Sequence, residues 1–371
     1  MTPKNIVIAG AGFGGLRLAR LLNNRPEFKV TLIDRNNYHQ FQPLFYQVAT
    51  AGLEPSAISF PLRKIFQRSQ NVIIRVAEIT SVHPEKKEVI TTLGAVSYDI
   101  LVLAMGVDTN FFFFFQVAQH AIPMKSVAEA LSLRNRILQN FEDALIETDP
   151  EKQKALLTIV VVGGGPTGVE VSGTLAEMKK FILPKDYPEL DFSKMQIYLV
   201  EAGSRLLSGM TEKSSAQAAK YLENLGVHVL CNAQVGDYDG EQVNIGKDLK
   251  IAARTLVWAA GVTGKQTDGL PPELYVRGNR IKVNAFNQVE GFDNIYALGD
   301  YAFMTEKNYP NGHPQVATPA IQQARLLARN LKRLQQGKSM KPYTYFNRGS
   351  MATVGRNLAV VELPFIKFYG F

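Results

Sequence analysis

The sequence predicts an α/β chain of two Rossmann-like dinucleotide-binding domains, and three observations carry that prediction. Two glycine-rich turns of one kind lie about 150 residues apart. Each follows an apolar run long enough for a buried parallel strand. Each opens a helical pattern that leads to a further apolar strand closed by an acid, which is the order of a dinucleotide-binding βαβ unit.

The first unit spans residues 1–35. Lys4-Asn5-Ile6-Val7-Ile8-Ala9 runs into Gly10-Ala11-Gly12-Phe13-Gly14-Gly15. Leu16, Ala19, Leu21 and Leu22 then mark the apolar side of a helix, and Val30-Thr31-Leu32-Ile33 reads as the second strand. Gly10 permits the tight bend, Gly12 lets the backbone approach a pyrophosphate, and Gly15 lets helix and strand pack closely. The helix N-terminus offers free N–H groups to the phosphates. Asp34 lies 24 residues after Gly10, close to the spacing of a ribose-binding acid.

Residues 36–66 read as loop and helix, rich in aromatics and proline. Val72–Val76 and Tyr98–Ala104 read as strands, the latter ending at Met105-Gly106. Residues 126–148 form an amphipathic helix closed by Thr148-Asp149-Pro150. The second unit begins at 156, with Ile159-Val160-Val161-Val162 before Gly163-Gly164-Gly165-Pro166-Thr167-Gly168. Its helix is expected to run past Met178, and a proline-bearing loop follows over 183–191. Ile197–Val200, Val227–Leu230 and Leu256–Ala259 continue the sheet. Ile281–Val283 and Ile295–Leu298 follow, then a helix from about Pro319 to Gln336, and a β-like tail over 350–354 and 358–363.

Gly163, Gly165 and Gly168 repeat the roles of Gly10, Gly12 and Gly15. The acid of the second turn is Glu201. A carboxylate there favours NADH over NADPH, because a 2′-phosphate about 4 Å away is repelled by about 4 kcal/mol per unit charge at an effective dielectric of 20. Two bound dinucleotides imply a relay in which a nicotinamide delivers a hydride and a tightly held flavin receives it. Glu170, two residues after Gly168, has two readings: a surface acid favoured by the helix dipole, or a group near the nicotinamide–flavin contact that steers substrate or handles protons.

Composition narrows the classes. The chain has 371 residues, a net charge of +8 and a single cysteine, Cys231. One thiol excludes an internal disulfide and a catalytic dithiol. The positive charge fits either a solvated surface or attraction to an anionic surface such as membrane lipid. With no long Lys/Arg block, no nucleic-acid partner is expected, and Arg325, Arg329, Lys332 and Arg333 read as a helix face. No apolar stretch of 18 or more residues exists to span a bilayer. Phe111–Phe115, five phenylalanines in a row, reads either as a lipid- or partner-facing patch or as a poorly determined stretch, and no role is assigned to it.

The paired turns, together with Asn294-Ile295-Tyr296-Ala297-Leu298-Gly299-Asp300, resemble the two-dinucleotide-binding-domain flavoproteins of glutathione-reductase-like FAD/NAD(P)-binding fold. Within that superfamily the chain is similar to type II NADH:quinone oxidoreductases. The similarity rests on Asn36–Leu44, Gly163–Glu170, Lys185–Phe192 and Gly349–Val354 with Gly355. The resemblance implies FAD on Gly10, Gly12, Phe13, Gly14, Gly15, Asp34, Arg35, His39, Gln47, Ala104, Gly106, Asp300, Ala317 and Thr318. It implies NADH on Gly163, Gly165, Gly168, Glu201, Ala260 and Gly261, and catalytic parts for Glu170, Gln322 and Gln323. It places a split FAD domain at 1–120 and 275–340, an NADH domain at 121–274, and the start of a membrane-associated region at 341–371.

The implied activity is FAD-dependent oxidation of NADH with two-electron reduction of a membrane quinone, menaquinone or ubiquinone, without proton pumping. The implied location is peripheral, on the cytoplasmic face of the membrane, with a homodimer left open. A soluble NADH:acceptor reductase of ferredoxin- or rubredoxin-reductase type and a non-enzymatic FAD/NADH sensor are the alternatives. Two departures stand out. In the motif Ala-Gln-x-Ala-x-Gln-Gln-Gly, this chain has Thr318 for the first glutamine and Ala324 for the glycine. Its end, Pro364–Phe371, is apolar and basic, and reads as the stump of a missing membrane-anchoring tail.

Overall fold

The structure is a computed structural model that describes residues 2–370, and Phe371 of the apolar end lies outside the described residues. The chain divides into two compact units. One holds the chain up to Gln40 with Ser59–Asp108 and Val262–Asn347. The other holds Phe41–Ile58, Thr109–Gly261 and the chain from Arg348.

In the first unit, parallel strands lie in the order Ile295–Ala297, Ile100–Leu103, Lys4–Ala9, Phe28–Asp34, Val72–Val76. Side chains alternate across the sheet. Ile6, Ile8, Val30 and Leu32 pack against the helices Phe13–Leu22 and Ala317–Gln335, through Leu18, Leu22, Leu327 and Leu331. Val7, Ala9 and Ile33 pack on the opposite side with Val82 and Val89. Those two residues belong to an antiparallel meander of Ile79–His83, Glu88–Thr91 and Gly94–Ser97. With both faces covered, the central strand is apolar throughout its buried length, which is why the sequence shows an unbroken run there.

The second unit repeats the plan. Its parallel strands run Ile122–Pro123, Thr255–Trp258, Ile159–Val162, Ile197–Val200, Val227–Leu230. Ile159 and Val161 face the helices Val127–Ile146 and Pro166–Glu177, while Val160 and Val162 face a second meander through Val243 and Ile251. That meander is Val235–Tyr238, Gln242–Ile245 and Leu249–Ala252. A C-terminal antiparallel sheet of Ser350–Val354, Leu358–Glu362 and Lys367–Gly370 completes the unit. It lies close on the helix Pro166–Glu177, where a Cβ on Gly173 would meet the backbone of Val354 and Gly355. Glu362 ties the sheet down by accepting hydrogen bonds from the Thr211 and Ser214 hydroxyls.

The structure departs from the sequence reading in three places. The expected strand Tyr98–Ala104 is shorter, Ile100–Leu103, and Asp99 ahead of it accepts from the Asn5 amide through its side chain. Asp149-Pro150 does not only end a helix. Asp149 caps a further one, Pro150–Leu157, accepting from the Glu151 and Lys152 amides. The two meanders and the last C-terminal strand were not anticipated. The helix after the second turn does pass Met178, through a π-helical stretch at Met178–Ile182. Among the described residues no helix is long and apolar enough to cross a membrane.

Candidate functional site

At the first turn, Gly10 sits at φ +100°, and a Cβ there would overlap the Ala104 carbonyl. This is the left-handed region that side chains avoid. Ala104 therefore forms the wall of the turn, at the end of Ile100–Leu103. A Cβ on Gly15 would overlap the Gly10 carbonyl, which is the close strand–helix approach expected of that position. Gly12 differs, since a Cβ there would meet nothing within 4 Å. Gly12 is the N-cap of Phe13–Leu22 and has no side chain with which to cap the helix, the arrangement that suits an anion at a helix N-terminus.

Asp34 locks this turn. Its carboxylate accepts from the Ala11 amide at 2.7 Å and from the Asn36 amide at 2.7 Å. Burial pushes the Asp34 carboxyl up from the usual range, while these amides, Arg35 and His39 pull it back. His39 is buried, its Nδ1 lies 2.9 Å from the Ala11 carbonyl, and Phe13 stands edge-on to its ring at 5.3 Å. Burial lowers its pKa, with the Ala11 contact and Asp34 acting against it. Arg35 pairs with Asp108 at 3.2 Å on the surface.

The second turn matches the first almost atom for atom. Gly163 has φ +109°, and a Cβ there would meet the Ala259 carbonyl. Gly168 approaches Gly163 as Gly15 approaches Gly10, and Gly165 is open with no side-chain cap on Pro166–Glu177. Glu201 accepts from the Gly164 amide and the Gly203 amide, both at 2.6 Å. The acids thus bind equivalent groups: the residue after the first glycine, and the residue two beyond the acid. Both turns fit a dinucleotide, with an open glycine, a helix N-terminus without a side-chain cap and an acid fixed at the strand end.

Glu170 lies in the second turn of its helix and is half-buried. Burial drives its carboxyl up to about 8, offset in part by the Thr353 backbone N–H. Thr353 also donates from Oγ1 to the Tyr46 hydroxyl at 3.1 Å, which in turn receives the Gln47 side-chain amide at 3.0 Å. Gln47 thus lies in the second unit, in a row with Tyr46, Thr353 and Glu170.

The late motif lies on Ala317–Gln335. Gln323 is buried and accepts from the Gly299 amide at 2.8 Å, bracing the turn that carries Asp300. Gln322 grips Phe346, donating to its carbonyl at 2.8 Å and accepting from its amide at 3.1 Å. Ala317 and Thr318 are half-buried in the first turn of the helix. Ala324 is fully buried in the core with Ala11 and Leu16, so its methyl fills packing space on the helix. Arg280, itself buried, donates from Nε to the Asp300 carbonyl at 3.1 Å.

Three features escaped the sequence reading. The two strands are equivalent in sequence, and Ala259 walls the second turn as Ala104 walls the first, a role the strand pattern alone does not assign. Thr353 and Tyr46 carried no signal, because each meets its partner only through the tertiary fold. The phenylalanine run is part of the second unit's structure. Phe111 stacks on Trp258 at 5.7 Å, Phe114 meets it edge-on, and the Phe112 ring lies over Gly261. Phe113 and Phe115 are exposed.

A fold with two such turns, each inside its own doubly covered parallel sheet, defines the class of pyridine nucleotide-disulphide oxidoreductases, whose family model matches residues 4–324. The chain is 35% identical to the type II NADH:quinone oxidoreductase Ndh of Mycobacterium tuberculosis, over 99% of this chain and 81% of that one. It is 31% identical to the type II NADH:quinone oxidoreductase of Haemophilus influenzae, over 97% of this chain and 87% of that one. The structure of NDH2 from Plasmodium falciparum in complex with NADH superimposes with a TM-score of 0.91 at 22% identity, covering 99% of this chain and 92% of that one, a likeness of fold. The chain belongs to the type II NADH:quinone oxidoreductase family.

Proposed function

We propose that this chain oxidises NADH and reduces a quinone, menaquinone or ubiquinone, through bound FAD: NADH, a proton and quinone give NAD+ and quinol. The observation that carries the reading is the pair of equivalent turns, each with an open glycine, uncapped helix amides and an acid fixed by the turn's own amide. FAD supplies two-electron redox chemistry, accepting a hydride and passing the electron pair on.

The chain's residues bind and orient. Gly10, Gly12, Phe13, Gly14 and Gly15 take the FAD pyrophosphate, and Asp34 its ribose. Arg35, His39, Ala104, Gly106, Asp300, Ala317 and Thr318 line the rest of that site. Gly163, Gly165 and Gly168 take the NADH pyrophosphate, Glu201 the ribose, and Ala260 and Gly261 the adjoining wall. Gln323 positions the Asp300 turn and Gln322 positions residue 346. Glu170 holds a proton at its carboxyl near neutral pH, and is the group placed to deliver one to a reacting oxygen. Gln47 joins it through Tyr46 and Thr353.

The protein is placed peripherally on the cytoplasmic face of the membrane, where NADH is made and a lipid-dissolved quinone is within reach. Phe365, Phe181, Ile182 and Met351 of the second unit are exposed apolar groups suited to a lipid surface, and the net charge of +8 favours anionic lipid. The central test is anaerobic. NADH should bleach the flavin of the FAD-loaded protein, and menaquinone or ubiquinone analogues should restore its colour. A flavin that stays oxidised with NADH overturns the reading.

A further inference from the structure

The helix face formed by Arg325, Arg329 and Lys332 has no part in the reaction above, and the first unit gives it a partner. Along Ala317–Gln335 these residues recur at helical spacing and present one side. That side meets Arg17 and Leu21 of Phe13–Leu22. Together with Ala328 they enclose a cavity of about 280 Å³. Four cations therefore converge on one small space whose floor is Leu21 and Ala328.

No ion pair or side-chain hydrogen bond among the described residues engages Arg17, Arg325, Arg329 or Lys332. Burial lowers the Arg17 pKa, and repulsion from Arg325 and Arg20 adds to it. Lys332 faces Arg25 and one carboxylate, Glu27. Among the described residues the Arg17 Nε is buried without a hydrogen-bond partner. A solvated basic surface keeps its cations apart and in water. Here four of them line one space beside Leu21 and Ala328, with a guanidinium N–H that nothing among the described residues satisfies.

We propose that the cavity between Phe13–Leu22 and Ala317–Gln335 is an anion site that takes a phosphate group, carried by a phosphorylated small molecule or by an anionic lipid headgroup. Guanidinium groups bind phosphate oxygens in pairs, and three of them with one ammonium suit a multiply charged group. The residues are separate from those assigned to either dinucleotide.

The test uses the FAD-loaded protein with NAD+ present, so that the second glycine turn is filled, and inorganic pyrophosphate as probe in titration calorimetry. Arg325→Gln/Arg329→Gln should bind pyrophosphate about tenfold or more weakly than the parent. Its NADH turnover with a water-soluble quinone should be unchanged. Flotation with phosphatidylcholine vesicles, with and without phosphatidylglycerol, forms the second arm. A phosphatidylglycerol-dependent fraction that falls in the variant assigns the phosphate to lipid. Weaker pyrophosphate binding with unaltered flotation assigns it to a small molecule. Parent and variant alike in both arms overturn the site. Should the double variant not fold, Arg329→Gln, at an exposed position, decides in the same assays. Loss of flavin bleaching in the parent would overturn the proposed function and leave this test intact.

Discussion

Glu170 is a carboxyl kept protonated by its surroundings, and that has a consequence for stability. Its folded pKa of about 8 lies above the value of an exposed glutamate, with burial as the main cause. Between about pH 4.5 and 8 the unfolded chain has released this proton while the folded chain retains it. Stability therefore falls as pH rises through that window, at roughly 1.4 kcal/mol per pH unit from this group, and levels off above it. Glu170→Gln removes the titration. Its melting temperature should depend less on pH between 5 and 8, and should exceed the parent's at pH 8. Parallel melting curves across that range would show that the carboxyl ionises freely in the fold. The oxygens of Glu201 bind backbone amides at 2.6 Å. Glu201→Gln keeps one acceptor and loses the charge that repels a 2′-phosphate. If half of the repulsion estimated above is felt, about 2 kcal/mol, the NADH-over-NADPH preference in kcat/KM narrows by about tenfold or more. A preference that stays put would move specificity to another residue.

Elements decide how Glu170 is held. The helix Pro166–Glu177, the strand Ser350–Val354 and the helix Phe45–Ala49 come together through Thr353, which serves Glu170 with its amide and Tyr46 with its hydroxyl. The Thr353–Tyr46 bond lies in a part-buried setting, so its coupling should be about 1 kcal/mol. A double-mutant cycle of Thr353→Val and Tyr46→Phe, read by denaturant unfolding, should show that coupling, and strictly additive effects would show none. This meeting was not legible in the sequence, since Tyr46, Glu170 and Thr353 are far apart in the chain and share no local pattern. The parallel strands were legible because burial on both faces demands unbroken apolar runs, as in Ile159–Val162. The meanders were not. Gly94–Ser97 and Leu249–Ala252 are short and largely exposed, with Lys250, Ser97 and glycine among their residues, so neither length nor alternation marks them. The Pro150–Leu157 helix was hidden by the double meaning of proline, which ends one helix and begins another.

At the scale of the molecule, the chain is one plan used twice, and the sequence disclosed the repeat through its glycines while leaving the acids' partners unseen. Asp34 and Glu201 differ in length and in their distance from the turn, yet each reaches the amide following the first glycine. The repeat makes the two sites separable by ligand. A ligand that binds only the folded state stabilises it by about 2.7 kcal/mol at a hundredfold excess over its Kd. Local opening of the segments it touches is suppressed in the same measure. On the assignment proposed above, NAD+ added to the FAD-loaded protein should slow amide hydrogen exchange around Gly163–Gly168 and Glu201–Gly203. Removing FAD should speed it around Gly10–Gly15 and at Asn36, whose amide is bound to Asp34. Protection by NAD+ confined to the first turn would reverse the assignment of the two dinucleotides. Equal protection of both turns by NAD+ would mean that the second acid does not discriminate, and that the equivalence of the turns extends to what they bind.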